Sequence, residues 1–120
     1  MSGIKLITLI SLALLSFAAV AGGRTNAAIP SKIDLVQAGT AGFMIFGDFG
    51  NVGSCTVSDQ VFVKASHPQY SQIYSTVLAA FMSGKKVSGY AHLCEPVAWY
   101  STPSITYNVL TEAGSISVEH

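Results

Sequence analysis

The sequence predicts a mainly β domain with one central α-helix, an α+β chain whose short strands curl into a small, mostly antiparallel barrel. Three observations carry this expectation. Tyr70, Ile73, Tyr74, Val77, Leu78 and Phe81 recur at i, i+3, i+4, i+7, i+8 and i+11, which lays a single apolar stripe on a helix. Short runs with strand character lie on either side, separated by turn-forming residues. The only two cysteines, Cys55 and Cys94, bracket the helix.

Residues 1–21 are expected to be a signal peptide. Met1 to Lys5 is a short n-region with one positive charge, Leu6 to Ala18 is a nearly unbroken apolar run, and Ala19-Val20-Ala21 supplies small residues for cleavage after Ala21. The apolar run is shorter than the ~18–20 residues that span a bilayer, and no stop-transfer pattern follows it. The mature chain is therefore expected in the periplasm or outside the cell, with no membrane span. Gly22–Pro30 reads as a flexible tether and residues 31–120 as one domain.

An oxidising compartment makes a disulfide the simplest state of an even cysteine pair, and only the Cys55–Cys94 pairing is possible. The competing arrangement joins both thiolates with His67 and His92 around a metal. It lacks the paired C-x-x-C spacing of zinc sites, so neither metal nor cofactor is expected.

Ser31 to Gln37 reads as the first strand, with Ile33 and Leu35 on one face and Asp34 and Val36 on the other. After a turn over Gly39–Gly42, Phe43–Phe46 is an apolar run suited to a strand buried on both sides. Residues 47–53 carry three glycines but lack the Lys and Ser/Thr of a phosphate loop, so a glycine-rich turn is expected. Cys55–Lys64 resumes extended structure, with Val57, Val61 and Val63 on one face. Pro68 suits the first helical position, with Ser66 or His67 as cap, and Gly84 suits a left-handed stop. In Lys86–Leu93 the residues Val87, Gly89, Ala91 and Leu93 share a side. Ile105–Leu110 and Ser115–Val118 read as closing strands.

Six basic and six acidic side chains balance, and losing Lys5 with the signal leaves the mature chain near minus one. No electrostatic funnel for nucleic acid or anionic lipid results. An enzyme is not expected. No G-x-S-x-G elbow joins a serine to His67, His92 and Asp48, and the carboxylates Asp34, Asp48, Asp59, Glu95, Glu112 and Glu119 fall mostly beside turns.

The extended start at Ser31, the junction Ser83-Gly84-Lys85-Lys86-Val87 and the run Glu95-Pro96-Val97-Ala98-Trp99 give the chain a resemblance to the B subunits of subtilase cytotoxin and typhoid toxin. It also resembles a broader set of small secreted proteobacterial proteins. The resemblance covers roughly Ser31 to Val118 in element order. It implies an OB-like barrel, a pentameric ring, and recognition of sialylated glycans with Ser31 contacting the sugar carboxylate. A cysteine pair bridging across the helix departs from those subunits.

Aromatic faces cover the C–H side of a sugar while hydroxyls and amides satisfy its polar groups. Tyr100, with Ser101, Thr102 and Asn108 near it in sequence, fits that chemistry, so Ser31, Tyr100 and Asn108 are the candidate glycan contacts. Trp99 and Tyr107 fit core or subunit-interface packing. The leading expectation is a secreted, non-catalytic glycan-binding subunit. The alternative is a periplasmic or extracellular protein-interaction or assembly module, docking its own copies in a ring or a different subunit.

Overall fold

The computed structural model describes residues 22–98, 100–113 and 116–119. The expected signal peptide and Trp99 lie outside them. Seven strands and one helix follow in the order β1 (Gly23–Arg24), β2 (Lys32–Val36), β3 (Gly42–Phe46), β4 (Gln60–Lys64), α1 (Tyr70–Ser83), β5 (Lys86–Glu95), β6 (Tyr107–Leu110) and β7 (Ile116–Glu119). The mainly β architecture with one helix is as the residue pattern predicts.

β2, β3 and β4 form an antiparallel meander whose register, Phe43 opposite both Leu35 and Val63, places alternate residues on two faces. On one face Phe43, Ile45, Val61 and Val63 pack against Ile73, Val77 and Ala80 of α1. On the other, Met44 and Phe62 pack with Val36, Val97, Tyr107 and Val109. Both faces being apolar is why Phe43, Met44 and Ile45 are all buried in succession, as the run of large apolar side chains implied.

The sheet runs β1-β5-β6-β4-β3-β2, with β7 also on β5. This is an open path, not the closed barrel expected from the strand count. One pair is parallel, β4 with β6 through Val61 opposite Asn108 and Phe62 opposite Val109. That pairing puts β6 between β4 and β5, in the middle of the sheet.

Four local expectations are corrected. Gly22–Pro30 is not a loose tether: Gly23 and Arg24 pair with Ala91 and Tyr90, and Ala28 bridges Val87. The same segment donates from Asn26 N–H to the Phe49 carbonyl, and Ser31, just after it, donates from its N–H to the Phe46 carbonyl. Its small residues allow the close approach; a Cβ on Gly22 would lie 2.7 Å from the Ala91 carbonyl oxygen. Val57 does not share a face with Val61 and Val63. A left-handed Asp59 (φ 64°) breaks the strand before Gln60, and Val57 joins the opposite cluster.

Along β5, a bulge between Ala91 and Leu93 shifts the register, leaving Leu93 53% exposed while Ala91 is fully buried. The helix begins at Tyr70, so Pro68 precedes its first turn. His67 starts it instead: Nδ1 accepts the Gln69 N–H (3.0 Å) and its carbonyl accepts the Tyr70 N–H. Gly84 ends the helix in the left-handed conformation (φ 71°), as its position in the sequence predicted.

Cys55 and Cys94 are joined, with Cα atoms 5.4 Å apart. The bond ties the loop before β4 to the end of β5. Both sulfurs are thereby removed from the alternative of a metal site.

Candidate functional site

Of the three candidate glycan contacts, Asn108 is buried, while Ser31 and Tyr100 are both hydrogen-bonded within the fold. Ser31 is exposed, and both its N–H and its hydroxyl donate to the Phe46 carbonyl (2.8 and 3.2 Å), pinning the entry to β2. Asn108 is 1% exposed and cannot meet a ligand. Its Oδ1 accepts the Gly53 N–H (2.8 Å) and its Nδ2 donates to Asn51 Oδ1 (3.0 Å), which holds the 51–55 loop beside the disulfide. The correction has a physical reason: β6 is a central strand covered on both faces, so a polar side chain there is retained only with partners. Its neighbours Tyr107 and Val109 were the available warning.

Tyr100 is half-buried and donates to Asp34 Oδ2 at 2.7 Å, while its ring meets that of Tyr107 edge-on at 5.8 Å. Tyr107 is core, one of the two roles expected of it. Lys32 lies 3.6 Å from the same carboxylate and over the Phe46 ring. Tyr100 is thus a latch between the segment 100–106 and β2. Burial first, then the hydrogen bond to Asp34, pushes its phenol far above the ordinary range.

A phenol whose folded pKa is raised stabilises the fold below its unfolded value of about 10, and that contribution is lost as pH climbs above it. Tyr70 shifts in the same direction, through burial and then Tyr74. Stability is therefore expected to be level from about pH 7 to 9 and to fall above about pH 10. Tyr100→Phe should flatten part of that fall in urea melts across the range. An unchanged alkaline slope would show that the latch is open in solution.

A different set of residues converges. The turn between β2 and β3 carries Gln37, Ala38 and Gly39 in succession at φ 53°, 55° and 91°. Thr40 closes it, its N–H (3.0 Å) and its hydroxyl (2.8 Å) both donating to the Gln37 carbonyl. Non-glycine residues held at positive φ cost on the order of 1–3 kcal/mol each and persist only where the surroundings over-determine them. Here Tyr70 supplies part of that determination, donating from its hydroxyl to the Gly39 carbonyl at 3.0 Å.

Between this turn and the first half of α1 lies an open groove of about 440 Å³, lined by Leu35, Gly39, Thr40, Tyr70 and Tyr74, with Ser71 and Ser75 on its rim. That volume falls in the ~300–1,000 Å³ range of small-molecule sites. Tyr70 and Tyr74, one helical turn apart, both rest on Phe43, with ring centroids 5.5 and 5.1 Å away. Leu35 is 51% exposed. None of the lining side chains is charged.

Tyr70 and Tyr74 belong to the apolar stripe that the sequence lays on the helix. Their periodicity reports a shared helix face but not that the face's edge stays open. The signal missed was the pairing of each with a serine, Tyr70-Ser71 and Tyr74-Ser75, which repeats an aromatic-hydroxyl unit every turn.

A second cavity of about 390 Å³ lies between His67, Gln72 and Glu112. His67 is buried, and because Nδ1 accepts the Gln69 N–H, its Nε2 is the nitrogen that carries the proton toward the Thr111 carbonyl (3.2 Å). Nδ1 thus helps build the helix start while Nε2 ties it to the segment after β6. His92 Nδ1 lies 2.7 Å from the Thr111 hydroxyl. Among the described residues, no three of His, Cys, Asp or Glu cluster as metal ligands, and no helix is long and apolar enough to cross a membrane.

Comparison with curated proteins and with solved structures finds no match. The model of a family of unknown function, DUF5992, matches residues 4–96, well over half of the chain, and the protein belongs to that family.

Proposed function

We propose that this protein is an exported, non-catalytic binding module that recognises glycans, in the manner of the toxin B subunits it resembles. The observation that carries the reading is the open groove in which Tyr70 and Tyr74 stand beside Thr40, Ser71 and Ser75. Aromatic surface with uncharged hydroxyls is the composition that covers a sugar's C–H face and its polar edge together. The disulfide supports export, since such bonds persist in oxidising compartments.

The OB-like reading draws support from strand order. β2-β3-β4-β6-β5, with the helix between β4 and β5 and the parallel pair between β4 and β6, follows the order of an OB barrel. Residues 22–28, lying along β5 on their way to β2, occupy the seam where such a barrel would close.

A second reading, a protein-interaction or assembly module, is favoured by α1. Its fourteen residues include no charged side chain, and Leu78, Phe81 and Met82 are 37%, 38% and 76% exposed. Depletion of charge with exposed aromatic and methionine surface is typical of the centre of an interface.

A glycan array probed with the processed, oxidised protein separates the two. Selective sugar binding lost on Tyr74→Ala is the expected outcome. Absence of any sugar signal, together with a ring or heteromer by native mass spectrometry, would replace the first reading with the second.

A further inference from the structure

We propose that the groove between the β2–β3 turn and α1 selects a neutral pyranose and rejects sialic and uronic acids. This rests on the glycan-binding reading and departs from the acidic sugar that the toxin resemblance implies. Two observations carry it: the absence of cationic side chains from the groove's lining among the described residues, and the direction of two of its hydrogen bonds. The Tyr70 hydroxyl spends its proton on the Gly39 carbonyl, and the Thr40 hydroxyl spends its own on the Gln37 carbonyl. What both oxygens have left to offer is lone pairs. Tyr74 and, on the exposed rim, Ser71 and Ser75 supply the remaining hydroxyls, each of which can both donate and accept.

A surface of uncharged hydroxyls, two of them committed to accepting, suits an uncharged ligand rich in O–H groups. A carboxylate donates nothing, would face the Tyr70 and Thr40 lone pairs, and finds no Lys, Arg or His among the lining residues. Its charge would be taken from water with no cationic partner to offset the cost. The apolar share of the groove, Leu35 with the two tyrosines, meets the C–H face of a pyranose in a way an extended charged side arm does not use. The left-handed residues Gln37 and Ala38 fit this role, because they turn the chain so that Thr40 and Gly39 reach the helix.

The test is an amide ¹⁵N–¹H titration of the oxidised protein with methyl glycosides of glucose, galactose, mannose and N-acetylglucosamine, and in parallel with sialyllactose and methyl glucuronide. At least one neutral glycoside should shift amides within 35–40 and 70–75, with a Kd of ~0.1–1 mM for so shallow a site. Tyr74→Ala should weaken it at least ~10-fold. Because Tyr74 also packs on Phe43, Ser75→Arg serves as the second variant. Ser75 is exposed, so the fold should hold while neutral glycoside binding drops and an acidic sugar gains.

Sialyllactose or glucuronide binding this groove as tightly as the neutral sugars would overturn the selectivity and leave the glycan reading standing. Shifts centred on Ser31, Lys32 and Tyr100 would overturn the location and equally leave that reading. No shift with any of the sugars would overturn both.

Discussion

Reducing the Cys55–Cys94 bond, or replacing both cysteines with alanine, is expected to cost about 4 kcal/mol of unfolding free energy, the chain-entropy value for a loop of this size. The two cysteines are 39 residues apart in sequence, and the loop they close contains β4 and all of α1. Without the bond the unfolded chain regains that loop's freedom, while the folded state loses contacts around Gly53. A Cβ there would lie 3.1 Å from both sulfurs and 2.6 Å from Asn108 Oδ1, so the loop is packed directly on the bond. Domains of this length have only ~5–15 kcal/mol in total, and the loss should move the urea midpoint by more than 1 M at an m-value of ~1–3 kcal/mol/M. Melts with and without a phosphine reductant measure it. Coincident curves would mean that the network of Asn51, Asn108 and Gly53 holds the loop unaided.

The second large effect is expected at Gly42, where alanine should destabilise by about 4 kcal/mol or prevent folding. Gly42 opens β3 at φ 147°, a conformation that L side chains rarely adopt. An added Cβ would overlap the Val63 carbonyl oxygen and lie 2.6 Å from Phe62 Cζ. The first is backbone of the adjacent strand and cannot retreat without breaking the β3–β4 ladder. The second belongs to a 6% exposed ring in the cluster on the sheet face opposite α1. Gly23→Ala makes a useful control. It also has a positive φ but nothing within 4 Å of an added Cβ, so its cost should be strain alone, about 1–3 kcal/mol. Equal midpoints for the two variants would show that the β3–β4 spacing relaxes freely, contrary to the packing described.

Both effects concern residues whose importance shows in the sequence to different degrees. Two cysteines in a chain with an export-like N-terminus leave one pairing, so the disulfide was legible by arithmetic. Gly42 was legible as part of a turn, but nothing in Gly39–Gly42 says which glycine faces a carbonyl across the sheet. The groove was less legible still. Tyr70 and Tyr74 were visible as helix-face residues, whereas its other wall depends on Gln37 and Ala38 adopting left-handed backbone, which no local propensity favours. Asn108 misled in the opposite sense, because polarity suggested exposure while its place in a central strand buries it.

Periodicity, terminators and cysteine number were enough to establish a mainly β chain, one helix ending at Gly84 and a crosslink across it, because each is a property of residues close in sequence or of simple counting. Strand order, the bulge beside Ala91, the pairing of residues 22–28 with β5 and the meeting of the β2–β3 turn with Tyr70 were decided by the folded structure alone. These are contacts between segments distant along the chain, and their energies come from edges and faces that exist only after the neighbouring elements have assembled.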